Sequence, residues 1–174
     1  MNSETVYIAD KEHYDNVLSK VAGVKSALWI ATADIKDLHV AAKDGTVRPF
    51  LGVIAGLVRR GVQVRLIHAK EPGTAFRKDF DRYSVLIDGM ERALCPRVHF
   101  KLLIFDFKEV YIGSANLTGA GIGMKSPRMR NFEAGILSSD LSLVDAAVEH
   151  FDSIWRGARC KDCGRRRYCP DPIA

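Results

Sequence analysis

The sequence predicts an α/β protein in which helices flank both faces of a central mixed, largely parallel β-sheet. Three consecutive segments support this prediction: an apolar strand over 26–35, a helix from Pro49 to Gly61, and an alternating strand over 62–68. This order is typical of parallel pairing, because a parallel partner strand is reached only through a crossover. The chain of 174 residues is long enough for one domain with a substantial core.

The first half of the chain alternates helices and strands. Asp10 is predicted to cap a helix that ends near Val21, because apolar side chains follow it at helical spacing. A loop over 43–46 precedes the helix that begins at Pro49. That helix is expected to end at Gly61, which suits a C-cap and follows two arginines that favour a helix C-terminus.

The second half is richer in strands. In chain order we expect a turn at 71–73, a polar helix to about Tyr83, strands over 98–105 and 110–113, a glycine-containing connection at 119–123, a strand over 132–137 and a helix over 140–155. The turn at 106–109 is short, so the two strands that it joins are predicted to form an antiparallel hairpin.

The formal net charge of +5 is unevenly distributed. Residues 156–174 contain six cations and two carboxylates, a net charge of +4, so the remaining residues are close to neutral. Such a cluster either binds phosphate groups or is a solvated tail. The chain has no apolar run of 18 residues and no signal peptide pattern at its start, so we expect a cytoplasmic protein without a membrane partner.

Four polar side chains are predicted to meet on the hairpin. His99 and Lys101 are two residues apart on one strand, and Ser114 and Asn116 are two apart after the next. Together they suit a phosphate, because lysine supplies charge and the hydroxyl and amide supply neutral donors. His99 can serve as nucleophile or proton carrier near neutral pH, although a single histidine on a strand is more often structural.

These residues also form a recognisable pattern, H-x-K-x4-D-x6-G-S-x-N, from His99 to Asn116. The pattern resembles the HKD motif of the phospholipase D superfamily, and the likeness is sharp over about 98–137. A single motif in a short chain is similar to the small bacterial endonucleases of the Nuc type. The resemblance implies a phospholipase D-like fold with a catalytic domain over 1–155 and a basic, cysteine-containing tail over 156–174.

The resemblance also implies roles for individual residues. His99 would attack phosphorus and form a phosphohistidine, with no metal needed for the chemistry, while Lys101 and Asn116 would grip the phosphate oxygens. Ser114 would line the same pocket. Asp106 would orient the site through charged hydrogen bonds, and Glu133 would hold the imidazole of His99 in its productive tautomer.

The mechanism needs two histidines, and the chain carries one motif. The other H-x-K, at 68–70, lacks the aspartate and the Gly-Ser-x-Asn that should follow it. We therefore expect a symmetric homodimer in which His99 of each subunit faces the other across the two-fold axis.

The substrate is expected to be nucleic acid, DNA or RNA, with little sequence preference. The alternatives are a lipid phosphodiesterase of the phospholipase D type and a nucleic-acid-binding module without turnover. The cations that could bind flanking phosphates are Lys125, Arg128, Arg130, Arg165, Arg166 and Arg167.

The cysteines are Cys95, Cys160, Cys163 and Cys169. In a cytoplasmic chain such clustering favours a metal over disulfides, and four thiolates can form one closed tetrahedral site. The spacing resembles that of some iron–sulfur nucleases and helicases. A structural [4Fe–4S] cluster, Zn²⁺ and unliganded cysteines remain alternatives, and a metal would order the three arginines of the tail beside the strand that enters the motif.

Overall fold

The computed structural model describes residues 3–36, 38–41 and 46–173. Its strands are β1 (Thr5–Ala9), β2 (Ala27–Thr32), β3 (His39–Ala41), β4 (Val47–Pro49), β5 (Gln63–His68), β6 (Met90–Leu94), β7 (Lys101–Phe105), β8 (Glu109–Gly113) and β9 (Ala134–Ser138). Its α-helices are α1 (Phe50–Arg59), α2 (Thr74–Arg82), α3 (Val85–Gly89) and α4 (Leu141–Trp155). Strands β3 and β4 form a separate hairpin, and the other seven form one sheet.

The large sheet has the order β1-β9-β8-β7-β2-β5-β6 and is mixed, as predicted. Parallel pairing is confined to β2 with β5 and β5 with β6, and the other four pairs are antiparallel. The expectation of a largely parallel sheet is therefore corrected. Helical crossovers connect only β2, β5 and β6, whereas β7 and β8 form the predicted hairpin and β9 returns beside β8.

Helices cover both faces of this sheet, which confirms the predicted class. On one face α1 and its neighbours pack over side chains such as Leu28, Ile30 and Leu103. On the other face α4 packs through Phe151 over residues that include Ile104. Because β7 is apolar on both faces, it forms a rigid central element, and Lys101 at its start is its polar exception.

The segment after Asp10 differs from its prediction. It is helical, but as a π-turn over His13–Val17 followed by a 3₁₀-helix over Leu18–Gly23. Asp10 is no N-cap: its φ is 45°, and its Oδ1 accepts a hydrogen bond of 3.1 Å from the amide of Glu133. The aspartate therefore joins the N-terminal segment to the connection before β9.

Most other predicted elements are present with shifted ends. The C-cap at Gly61 is confirmed by its φ of 80°, and Asp140 caps α4 by accepting from the amide of Leu143 at 3.1 Å. The strand expected from 98 begins only at Lys101, where pairing with β8 starts. Strands β1 and β6, helix α3 and the β3–β4 hairpin were not predicted, and positions 43–45 of the expected loop lie outside the described residues.

Candidate active site

The residues of the H-x-K and Gly-Ser-x-Asn patterns meet at one edge of the large sheet. Lys101 opens β7 and pairs with Gly113 at the end of β8, and Gly113 pairs in turn with Gly135 at the start of β9. The antiparallel register thus brings together the residues just outside these strand ends, which are His99, Ser114, Asn116 and Glu133.

Lys101 is a buried cation directed at the imidazole. Its side chain is 6% exposed, its Nζ donates to the backbone oxygen of His99 at 2.6 Å, and Nζ lies 3.5 Å from Nδ1 of the same residue. Burial lowers the pKa of Lys101, and the negative charge of Glu133 partly opposes this shift. Because a buried charge is costly without a partner, an anion that binds beside His99 would be stabilised here.

Asn116 is held by its oxygen. Its Oδ1 accepts from Oγ1 of Thr32 at 3.2 Å and from the amide of Asp34 at 3.1 Å, both at the end of β2. These two donors fix the orientation of the carboxamide. Its Nδ2 is then the group that can donate to a substrate oxygen.

Ser114 and Glu133 form a second hydrogen-bonded unit. The hydroxyl of Ser114 donates to Oε2 of Glu133 and accepts from the amide of Ala134 at 3.1 Å, while Nδ2 of Asn131 donates to Oε1 at 3.0 Å. The carboxylate is thus held by Ser114 and Asn131. Its contact with the imidazole of His99 stays a prediction.

Asp106 lies at the opposite end of β7, in the hairpin turn. Its carboxylate accepts from the amides of Lys25, Ser26 and Ala27 and from the hydroxyl of Ser26, at 2.7–3.1 Å. Partial burial on its own would raise the pKa of Asp106, but these hydrogen bonds lower it. Asp106 lies seven positions after His99, at the far end of β7, and its hydrogen bonds tie the hairpin to the start of β2.

The rejected second H-x-K has a structural role. His68 is fully buried, and its Nδ1 pairs with the backbone oxygen of Lys70 at 2.7 Å. Burial lowers the pKa of His68. A buried imidazole that pairs with its own loop is not placed to attack a substrate.

The predicted phosphate-binding cations occupy two regions. Lys125 and Arg128 are exposed, and Arg130 is half-buried, in the turn-rich connection between Asn116 and Glu133. In the tail, Arg165 lines a cavity of about 370 Å³ together with His99, and its Nη1 donates to the backbone oxygen of Pro96 at 3.2 Å.

The other two tail arginines are directed elsewhere. Nη1 of Arg166 donates to the backbone oxygens of Cys160 at 3.3 Å and Ile173 at 3.1 Å, and the guanidinium of Arg167 lies 4.4 Å from the ring centroid of Tyr168. Of the three, Arg165 is the one that the fold brings to His99.

All four cysteines line one cavity of about 220 Å³ between the end of β6, α4 and the tail. Hydrogen bonds from the amide of Arg165 and from the side chain of Arg97 lower the pKa of the Cys163 thiol. Within the described parts of the chain, no group of three or more His, Cys, Asp or Glu side chains is placed to hold a metal ion. The sulfurs are thus assembled around a common space, and the metal stays a prediction.

Three supporting residues were missed from the sequence. Thr32 orients Asn116, Asp10 binds the amide of Glu133, and Asn131 binds its carboxylate. Thr32 could have been found, because it ends a buried strand whose neighbours carry the site. Asp10 could not, because its partner is distant in sequence and the contact depends on an unusual backbone angle.

The sequence profile described as "Cardiolipin synthase, PLD-like domain" matches residues 20–155. No curated protein matches the chain. Among the described residues, no helix has both the length and the apolar character needed to cross a membrane.

Several solved structures share the fold. NucT from Helicobacter pylori is 15% identical with a TM-score of 0.64, over 87% of this chain and 95% of the other. Nuc from Salmonella typhimurium, a phospholipase D family member, is 18% identical with a TM-score of 0.65, over 88% and 95%. Phosphatidylserine synthase from Haemophilus influenzae is 12% identical with a TM-score of 0.65, over 86% of this chain and 36% of that chain. At these identities the likeness establishes the fold alone.

Proposed function

Because the chain belongs to the phospholipase D-like family, whose profile spans residues 20–155, we propose that it is a metal-independent phosphodiesterase that hydrolyses DNA or RNA as a homodimer. The observation that carries this proposal is the buried Lys101, whose ammonium lies 3.5 Å from the imidazole of His99. A phosphodiester beside the imidazole would place negative charge next to this ammonium, whose short contact is with the backbone oxygen of His99.

The reaction proceeds in two displacements. A nitrogen of His99 attacks phosphorus, the bond from phosphorus to the leaving oxygen breaks, and His99 of the second subunit gives that oxygen a proton. Water then attacks the phosphohistidine, and the same second histidine takes a proton from the water as the bond from phosphorus to nitrogen breaks. Lys101 and Nδ2 of Asn116 donate to the non-bridging oxygens throughout.

Nucleic acid is favoured over lipid by the surroundings of His99. Arg97 and Arg165 line the cavity that it shares, and Lys125 and Arg128 are exposed on the connection that leads to Glu133. A polyanion offers phosphates on both sides of the bond that is cut, and these cations suit such flanking charges. A phosphatidyl group would present one phosphate and two acyl chains to the same surface.

The test compares wild type with His99→Ala on single-stranded DNA, duplex DNA, RNA and phospholipid vesicles, all in EDTA. We expect wild type to cleave nucleic acid, and His99→Ala to lose at least about 10³-fold in rate while still binding it. The matched control is His39→Ala, in the separate β3–β4 hairpin, which should keep the wild-type rate.

Three results would contradict parts of this proposal. Full activity of His99→Ala would overturn the mechanism. Cleavage of phospholipid without cleavage of any nucleic acid would overturn the substrate class. Binding of nucleic acid with no turnover by wild type would indicate a binding module on the same fold.

A further inference from the structure

The cavity lined by the four cysteines lies outside the phosphodiesterase site. Cys95 follows β6, whereas Cys160, Cys163 and Cys169 lie in the tail after α4. Side chains far apart in the sequence thus converge, and each of the four thiols is free and half-buried. Apolar side chains such as Val98 complete the wall. A space shared by all four thiols of the chain indicates a thiophilic ligand.

The size of this cavity distinguishes between kinds of ligand. Four sulfurs around one zinc ion lie only about 4 Å from each other, since each Zn–S bond is about 2.3 Å. Within the described residues, no group of three or more His, Cys, Asp or Glu side chains is placed to hold a metal ion, and the four thiols instead line a cavity of about 220 Å³. That volume is more than ten times the ~15 Å³ that admits one water. The cavity therefore has room for a ligand larger than a single ion.

One local contact suits an anionic sulfur ligand. Nη1 of Arg97 donates to Sγ of Cys163 at 3.7 Å. A guanidinium beside one sulfur offsets the charge of a thiolate. Most of the cavity surface is apolar, with Arg97, His150, Arg159 and Asp171 also in its lining. We propose that the four cysteines bind an iron–sulfur cluster.

This cluster would hold the tail in place against β6 and α4. Gly157, directly after the last turn of α4, has a φ of 71°, and a Cβ there would lie 2.6 Å from Cβ of Ile173. The tail therefore folds back closely over the end of α4 and lines the cavity. Ligation of Cys160, Cys163 and Cys169 would link this fold-back to Cys95 on the sheet.

The cluster also has a consequence at the active site, which rests on the proposed function. Arg165 follows Cys163 by two residues, donates to the backbone oxygen of Pro96 and lines the cavity that contains His99. Ordering the tail would therefore set Arg165 beside the phosphate that His99 attacks. Arg165 is a positioning and binding residue in this arrangement, and the cluster acts through it.

The first experiment does not depend on activity. The full chain is purified without oxygen, or reconstituted with ferrous iron and sulfide, and then analysed for iron, acid-labile sulfide, zinc and visible absorption. We expect iron and sulfide in equal amounts, roughly two to four of each per chain, with a broad visible absorption. Cys95→Ser and Cys169→Ser should lose both. Stoichiometric zinc without sulfide, or protein that takes up no iron, would overturn the proposal.

The second experiment tests the link to His99. Arg165→Ala should keep the cluster spectrum and raise KM for nucleic acid by about tenfold, since one phosphate contact is lost. Lys161→Ala removes a cation from the same tail but lines neither cavity, and its KM should stay near that of wild type. A Cys169→Ser variant whose KM is unchanged would overturn the positioning role of the cluster. Because iron content is measured separately, failure of the nuclease proposal would leave the first result standing.

Discussion

At the scale of single residues, the two charged side chains at the ends of β7, Lys101 and Asp106, have different surroundings. Lys101 is buried and its ammonium donates to the backbone oxygen of His99. Burial lowers its pKa because it disfavours the charged form, and an anionic ligand beside it would favour that form again. Asp106 accepts several hydrogen bonds from the start of β2, which lower its pKa and use its charge within the fold. The motif therefore contains a lysine beside His99 at the candidate site and an aspartate whose charge is used by hydrogen bonds within the fold.

Asp106→Asn should lower the free energy of unfolding by about 1–2 kcal/mol at pH 7, because charge-assisted hydrogen bonds to the turn are weakened. Since the folded pKa of Asp106 is below the unfolded value of 3.8, its contribution is present above pH 3.8 and is lost as the pH falls through the folded pKa. Urea unfolding at several pH values measures this. Asp88→Asn, at an exposed aspartate of α3, is the control and should change little.

A structural role also predicts what Asp106→Asn leaves intact. The rate of the folded variant should stay close to that of wild type, since the side chain is at the far end of β7 from His99. A large loss of rate with unchanged stability would show instead that Asp106 acts on the chemistry.

At the scale of elements, the close packing of β8 against β9 determines where the site residues lie. Tyr111 on β8 is fully buried, and its ring lies against the backbone of Gly113 and Gly135. A Cβ on Gly113 would lie 2.2 Å from the hydroxyl of Tyr111 and 2.8 Å from the backbone oxygen of Ala134. The glycine of the motif is thus required by packing, and it sets the position of Ser114 beside Glu133.

Gly113→Ala should destabilise the protein by about 1–3 kcal/mol, because the new methyl group overpacks the space between β8 and β9. Urea unfolding at neutral pH would measure the loss. Gly23→Ala is the matched control, since its φ is outside the left-handed region and no atom lies within 4 Å of its added Cβ. Equal stability of the two variants would contradict the packing explanation.

At the scale of the whole molecule, one chain supplies one motif histidine. The mechanism needs a nucleophile and a separate proton donor, and the second H-x-K is excluded because His68 is buried and paired with its own loop. The exposed His99 at the sheet edge can face a second copy of itself. The working unit that we propose is therefore a dimer with one composite site.

Mixing experiments distinguish this dimer from independent monomers. After subunit exchange between wild type and His99→Ala, activity should follow the square of the wild-type fraction, because only pairs with two intact histidines turn over. Nuclease assays across mixing ratios, with sedimentation to confirm the dimer, would measure this. A linear dependence on the wild-type fraction would show that each chain acts alone.

Much of the fold and the residues of the candidate site could be predicted from the sequence. The apolar strands, the C-cap at Gly61 and the helix after Asp140 depend on local signals, and the structure contains them. The edge strand β1 and strand β6 were missed, because short strands without clear alternation carry little local signal. The share of parallel strand pairs was overestimated, because the direction of pairing depends on the connections between strands and not on the strands themselves.

The sequence by itself determined the α/β class and the residues of the candidate site, because a motif at fixed spacing on two hairpin strands needs only the local periodicity of a strand. The tertiary structure alone decided which charges serve the site. In the folded chain Lys101 is buried beside His99, and Asp106 is hydrogen-bonded to the start of β2. Of the three adjacent arginines, Arg165 lines the cavity that contains His99, and the four cysteines line one other cavity. The physical reason is that burial, hydrogen-bond partners and convergence across long sequence separations arise only when the sheet, its helices and the tail pack together.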